Sequence, residues 1–233
     1  MKKEKMTFKD LSFPAKLEYI WDYYKFRIIV GLFCVFVAAV LIFQFAGRVE
    51  PDANLMYAGR YNISSQAVNN MQVSLAEKVG MTDANGDGRK SIDYVQFLLF
   101  DGTEGSSGYI NGVSMQENLE GYNTEILAGD SMILLLDEYY YNSLVEQSII
   151  APFVDYLDAV PEKAIDAYGI RLSDLDIYKL DGFKEFAPDT IVCMRVKKTY
   201  GNFGKGEDDE LLEKNRKVFR DMLSYTYTDN EEN

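Results

Sequence analysis

Asp83, Asn85 and Asp87 stand at alternate positions and are followed by Gly88, in the run DANGDGRKSIDY, residues 83–94. Oxygen-bearing side chains at positions 1, 3 and 5 and a glycine at position 6 are the opening of a twelve-residue calcium loop. A hard divalent cation takes carboxylate, amide and backbone carbonyl oxygens, and the glycine permits the sharp turn that aims them inward. The carbonyl of Arg89 is the expected backbone ligand, and Ser91 is expected to contribute directly or through water. Position 12 departs from the template: it is Tyr94, and the acid comes one place early at Asp93. A β-rich run follows, so the site expected here is a loop-then-strand arrangement outside the EF-hand fold. In a strand, residues 91 and 93 share a face, which lets Ser91 and Asp93 meet the ion together. Outside the cell such a site needs an affinity only on the order of 10⁻⁴–10⁻³ M, and its role would be a structural clip. The competing reading is turn chemistry alone, because Asn85-Gly86 and Asp87-Gly88 are good turn dipeptides without a metal.

Other residues able to do chemistry are few. The chain has no histidine, which removes His-based triads, His general bases and the usual zinc sites. Gly129-Asp130-Ser131 has the look of an esterase motif but precedes its strand, and no histidine exists to activate Ser131. Acid pairs such as Asp137-Glu138 and Asp208-Asp209-Glu210 are expected by chance in so acidic a chain. A carboxylate-based hydrolase needs two acids facing a cleft, and spacing alone does not supply them. Tyr139 and Tyr140, in DEYYYNS, follow an apolar strand, and Tyr109, in GYINGV, follows another. At the carboxyl edge of an α/β sheet, where ligands dock, these rings would stack on a sugar or peptide. Ordinary packing is the plainer account of the same residues.

The elements that must position these groups begin with the span. Residues 28–46, IIVGLFCVFVAAVLIFQFA, carry no charge, and nineteen residues at about 1.5 Å each approach the ~30 Å of a bilayer core. Residues 1–27 carry seven Lys/Arg and four Asp/Glu, whereas residues 48–233 carry 17 and 33. Positive charge on the amino-terminal flank orients a single-pass anchor with residues 1–27 in the cytoplasm and the carboxyl-terminal part outside. Tyr19, Trp21, Tyr23, Tyr24 and Phe26 form an inner aromatic belt. Leu11, Leu17, Ile20 and Tyr24, around Pro14, suggest an amphipathic leader on the inner leaflet; a basic tail is the alternative. A cleaved signal peptide would have a shorter apolar region. Cys34 in the span and Cys193 outside it leave the exported part without a disulfide.

After a linker at 47–53, strand-like and helix-like patterns alternate through 54–227, and 228–233 reads as a solvated tail. Strands are expected at 54–59, 91–100, 131–137 and 190–198. Helices are expected at 64–80, from Ser114 to Gly129, in YNSLVEQSII and PEKAIDAYGI, and at 208–227. In the last, Leu211, Leu212, Asn215, Val218, Phe219, Met222 and Leu223 face inward. Alternation of this kind predicts an α/β domain with a mainly parallel sheet, carrying the calcium-loop-like insertion.

The run YNTEILAGDSMILLLDEYYYNSLVEQSIIAPF resembles the helix–strand–helix unit in one lobe of type 2 extracellular solute-binding proteins. The leader LSFPAKLEYIWDYYKF resembles that of a group of uncharacterised single-pass membrane proteins of Gram-positive bacteria. These resemblances imply an exposed binding lobe on a membrane anchor and transfer no functional residue. The function expected is a membrane-anchored extracytoplasmic binding or interaction module with a structural Ca2+ loop, its partner a small-molecule ligand or an envelope protein. Two alternatives stand beside it: a subunit of a membrane complex that meets partners through its leader and span, and a carboxylate-based envelope hydrolase. Nucleic acid is disfavoured, because the exposed part would repel phosphate.

Overall fold

The computed structural model describes residues 13–46, 50–100, 109–110, 113–197 and 207–228. The chain divides into two compact units, Met1–Val49 and Glu50–Asn233.

Among the described residues the first unit holds one helix, α1 (Phe13–Ala46). Its stretch Tyr24–Phe43 is long and apolar enough to cross a membrane, with a mean hydropathy of 2.8. A signal sequence meets the same criterion. From Ile29 to Phe43 apolar side chains are exposed on all sides, as expected of a helix that sets no polar face against water. Pro14 lies in the first turn, where no intrahelical N–H is lost. The helix therefore runs through residue 28 without a break, and leader and span are one rod from Phe13 onward. Leu11 lies outside the described residues.

The second unit is built on a five-stranded sheet in the order β2-β1-β5-β7-β6. Its strands are β1 (Ala53–Gly59), β2 (Ile92–Leu98), β5 (Ile133–Leu136), β6 (Gly169–Arg171) and β7 (Ile191–Met194). A separate two-stranded ribbon pairs β3 (Tyr109–Ile110) with β4 (Val113–Ser114). Among the described residues four α-helices complete the unit: α2 (Ser65–Val73), α3 (Met115–Ala128), α4 (Glu138–Glu146) and α5 (Glu207–Ser224). Ser64 caps α2 by accepting from the Ala67 N–H at 3.1 Å, and α2 continues as a π-helical turn, Ser74–Lys78.

Alternation along the strands sorts side chains into two cores. Leu55, Tyr57, Leu135, Val192 and Met194 face α2 and α5. Met56, Ala58, Leu134, Leu136 and Cys193 face α3 and α4. Strands apolar on both faces follow from this three-layer arrangement. On α5, Leu212, Asn215, Val218, Phe219 and Met222 are buried, as the helical spacing predicts.

The sheet is mixed. β1 pairs in parallel with β2 and β5, and β7 pairs antiparallel with both β5 and β6. The expectation of a mainly parallel sheet holds for its first three strands only. Between α4 and β7 the described chain contains no α-helix, only short 3₁₀ turns and β6, so no crossover helix returns it to a parallel strand. PEKAIDAYGI is likewise not a helix. Its Asp166 accepts from the N–H groups of Tyr168 and Gly169 at 2.7 and 3.0 Å, a local turn that competes with helix formation.

Candidate functional site

Two places merit description: the loop before β2 and the edge of the sheet beyond β1 and β5.

In the loop, Gly86 and Gly88 take φ of +74° and +81°, the left-handed turns that glycine permits. Asp83 accepts from the Gly86 N–H at 2.7 Å and from the Gly88 N–H at 2.9 Å. Asn85 accepts from the Asp87 N–H at 2.8 Å, and Asp87 from the Arg89 N–H at 2.7 Å. These side-chain oxygens close the loop on itself. Asp93, the second residue of β2, is exposed. The Ser91 hydroxyl oxygen is buried without a hydrogen-bond partner among the described residues. Among the described residues no group of three acidic, His or Cys side chains comes together to hold a metal ion.

The group that organises the loop is Asp52, fully buried just ahead of β1. Its carboxylate accepts from the N–H groups of Ala84 (2.7 Å), Asn85 (3.1 Å) and Ser91 (2.9 Å). Its own N–H donates to the Ser91 carbonyl at 2.8 Å. Thr82 anchors the loop's other end, donating to Asp221 of α5 through its N–H (2.8 Å) and its hydroxyl (2.9 Å). Sequence reasoning assigned Asp52 to a linker, and no local spacing ties it to residues 84–91.

The second place is set by topology. The chain leaves β1 for α2 on one face of the sheet and leaves β5 for α4 on the other. Two neighbouring parallel strands whose connections part in this way open a crevice beyond their carboxyl ends. A cavity of about 320 Å³ lies there, lined by Arg60, Asp137, Glu138, Tyr139, Asn142 and Asp189, together with Tyr140. Arg60 follows β1 and Asp137 follows β5. Asp189 precedes β7, whose start lies beside the end of β5 because Leu136 pairs with Ile191.

Arg60 and Asp137 form the fixed part of this wall. The Asp137 Oδ2 accepts from the Arg60 N–H at 2.9 Å and from its Nε at 3.1 Å. Arg60 Nη2 stands 3.7 Å from Asp189 Oδ2. Burial pushes the Asp137 carboxyl above its ordinary range against the pull of Arg60, and Asp137 in turn raises the Arg60 guanidinium. Gly59 is required beside them, because a Cβ at that position would overlap Asp137 Oδ1 and the Tyr57 hydroxyl.

The tyrosines divide. Tyr139 is 57% exposed, whereas Tyr140 is buried, donating its hydroxyl to the Phe100 carbonyl at 3.0 Å. Their rings meet edge to face at 5.1 Å. Tyr139 is thus available to a ligand, and Tyr140 packs behind it. Tyr109 belongs to β3, and its side chain lies outside the described residues. A second groove, of about 400 Å³, runs between α3 and α4 past Met115, Leu119, Tyr122, Ile126 and Leu144. Ser131 sits away from the crevice, ahead of β5, with its hydroxyl donated to Glu125 at 2.6 Å. Arg60 and Asp189 were not singled out in the sequence. The available signal for Arg60 was its place directly after a buried strand.

No family model and no curated protein matches this chain. Among solved structures it is similar to an extracellular solute-binding protein family 1 from Alicyclobacillus acidocaldarius subsp. acidocaldarius DSM 446, with a TM-score of 0.30 and 15% identity over 53% of this chain. The match spans 29% of that protein's length. The resemblance to single-pass membrane proteins has no counterpart in these comparisons.

Proposed function

We propose that the protein is a membrane-anchored binding module that holds a small solute in the crevice beyond β1 and β5 on the outer side of the membrane. The observation that carries this reading is the Arg60–Asp137 pair, fixed at the point where the connections from two parallel strands diverge. Ligands of open α/β sheets bind at such a point, where side chains from separate loops converge. Residues 28–46 are the anchor in this reading, and the charge asymmetry across them supports an outer position for residues 50–233. In this reading residues 1–27 face the cytoplasm, and Tyr139 offers its ring to the ligand.

The loop at 83–93 is proposed as a structural calcium clip, with Asp83, Asn85, Asp87, the Arg89 carbonyl, Ser91 and Asp93 as candidate ligands. Support comes from the motif and from the turn glycines at Gly86 and Gly88. Each loop oxygen that already accepts an N–H keeps a second lone pair for an ion. Asp52 already closes the loop, so calcium would add to an existing clamp.

A second reading has an observation behind it. Asp137, Glu138 and Asp189 line one cavity, which is what a carboxylate-based hydrolase would require. Turnover of a chromogenic glycoside, lost in Asp137→Asn, would favour it. The membrane-complex reading predicts partners that co-purify only when residues 1–27 are present.

The test of the main reading uses the full chain in detergent micelles. A panel of small solutes is screened by thermal unfolding, in parallel with Asn142→Trp, which fills the crevice from an exposed position on α4. A solute that stabilises the parent protein and not the filled variant supports the reading; stabilisation equal in both refutes it. In the same format calcium should raise the melting temperature of both proteins, and an unchanged melting curve across the titration refutes the clip.

A further inference from the structure

Resting on the reading of the crevice as a ligand site, we infer that its ligand is a small organic cation, an ammonium or guanidinium solute. One guanidinium faces three carboxylates there: Arg60 against Asp137, Glu138 and Asp189. The Arg60 charge is already committed within the wall, with its N–H and Nε on Asp137 Oδ2 and its Nη2 turned to Asp189. Asp137 is nine-tenths buried, 8% exposed, and both of these bonds fall on one of its oxygens. Its Oδ1 takes part in no hydrogen bond among the described residues. Although Asp137 stands at the N-cap of α4, its side chain does not cap the helix. Asp137 lines the cavity, and a carboxylate oxygen without a donor there is free to accept a ligand N–H.

Two further observations agree. Asp189 is 64% exposed at its side chain, and Glu138 is exposed as well, so two more carboxylates reach an incoming charge without leaving water. The exposed Tyr139 ring offers a π face, to which a cation is attracted when it lies within about 6 Å of the ring centre. An anion would have to displace Asp137 or Asp189 from Arg60 and approach the remaining acids. The amino-terminal dipole of α4 favours anions, but Asp137 and Glu138 already occupy that position. The cavity, at about 320 Å³, is at the small end of the range for solute pockets. It fits a free solute better than a side chain presented on a broad protein surface.

The test is isothermal titration of the full chain in detergent with agmatine and choline as cationic probes, glucose as a neutral probe and succinate as an anionic one. The expected result is binding of at least one cation. That binding should weaken about two- to five-fold in Glu138→Gln and in Asp189→Asn, as expected for single exposed charges. It should also fall in Tyr139→Leu and vanish in Asn142→Trp. Glu138, Asp189 and Tyr139 are exposed, so these variants fold. Binding of glucose or succinate, abolished by Asn142→Trp while both cations stay silent, overturns the cation assignment and leaves the crevice standing. Cation binding that is unchanged in all four variants lies elsewhere on the acidic surface and overturns the inference. No binding by any probe overturns it as well, and counts against the crevice reading too.

Discussion

Replacing Asp52 by alanine removes a buried carboxylate that receives three N–H groups. A hydrogen bond to a charged group contributes about 1.5–3 kcal/mol net, and a buried donor left without an acceptor costs about 1–3 kcal/mol. Ala84, Asn85 and Ser91 are each partly exposed, so water recovers part of the loss. We expect Asp52→Ala to destabilise the domain by about 3–5 kcal/mol, a drop in melting temperature of about 6–20 °C at roughly 2–4 °C per kcal/mol. Asp52→Asn keeps one acceptor for Ala84 and Asn85 but turns an NH₂ toward the Ser91 N–H, and should lose about 2 kcal/mol. The single tryptophan, Trp21, lies in α1, so urea unfolding is best followed by far-ultraviolet circular dichroism. Amide hydrogen exchange supplies the local readout: the N–H groups of Ala84, Asn85 and Ser91 should lose protection ahead of the sheet. Stability of Asp52→Ala within about 0.5 kcal/mol of the parent, the range of ordinary surface changes, would refute the clamp. Unchanged exchange at those three amides would refute it as well.

Two other predictions concern the crevice. Gly59→Ala would force a methyl group against Asp137 Oδ1 and the Tyr57 hydroxyl; a loss of about 1–3 kcal/mol is expected from overpacking, read by urea unfolding, and a neutral result would mean that the wall is loosely held. The carboxyl of Asp137 is raised by burial, so folding favours its protonated form. Its contribution to stability is therefore fully present below about pH 4 and is lost as pH rises through the folded value. The stability of the parent relative to Asp137→Asn should fall as pH rises from about 4, and a difference that is flat or rising would contradict the burial argument.

The elements with strong periodicity were legible before the structure. The alternation of β1, α2, β2, α3 and β5 and the apolar stripe of α5 each carry their own local signal, and the structure places all of them within a few residues of expectation. β6 was not legible. Gly169-Ile170-Arg171 is a strand only because β7 lies beside it, and three residues carry no pattern of their own. The segment PEKAIDAYGI has the composition of a helix, but the Asp166 side chain supplies a turn in its place. For the site, Tyr139 could be anticipated because it follows a buried strand. Arg60 and Asp189 come from segments far apart in the chain, and only the strand order brings them together. Asp52 shows the same limit: its partners lie 32, 33 and 39 residues away, beyond any local spacing rule.

The start of β1 is held by the last helix. The Asn54 N–H donates to Asn215 Oδ1 at 2.8 Å across 161 residues of sequence. Glu50 pairs with Lys214 at 3.1 Å across 164. During vectorial synthesis β1 emerges first, takes a central place in the sheet, and waits for β2, then β5, then α5 before every donor at its root is satisfied. Contacts of such sequence separation form slowly, and an unpaired central strand is sticky while it waits. A nascent domain of this design is therefore most vulnerable to proteolysis and misassembly until its final helix is released, and a nonsense codon anywhere before α5 should yield a product that is degraded, with no partly working remnant.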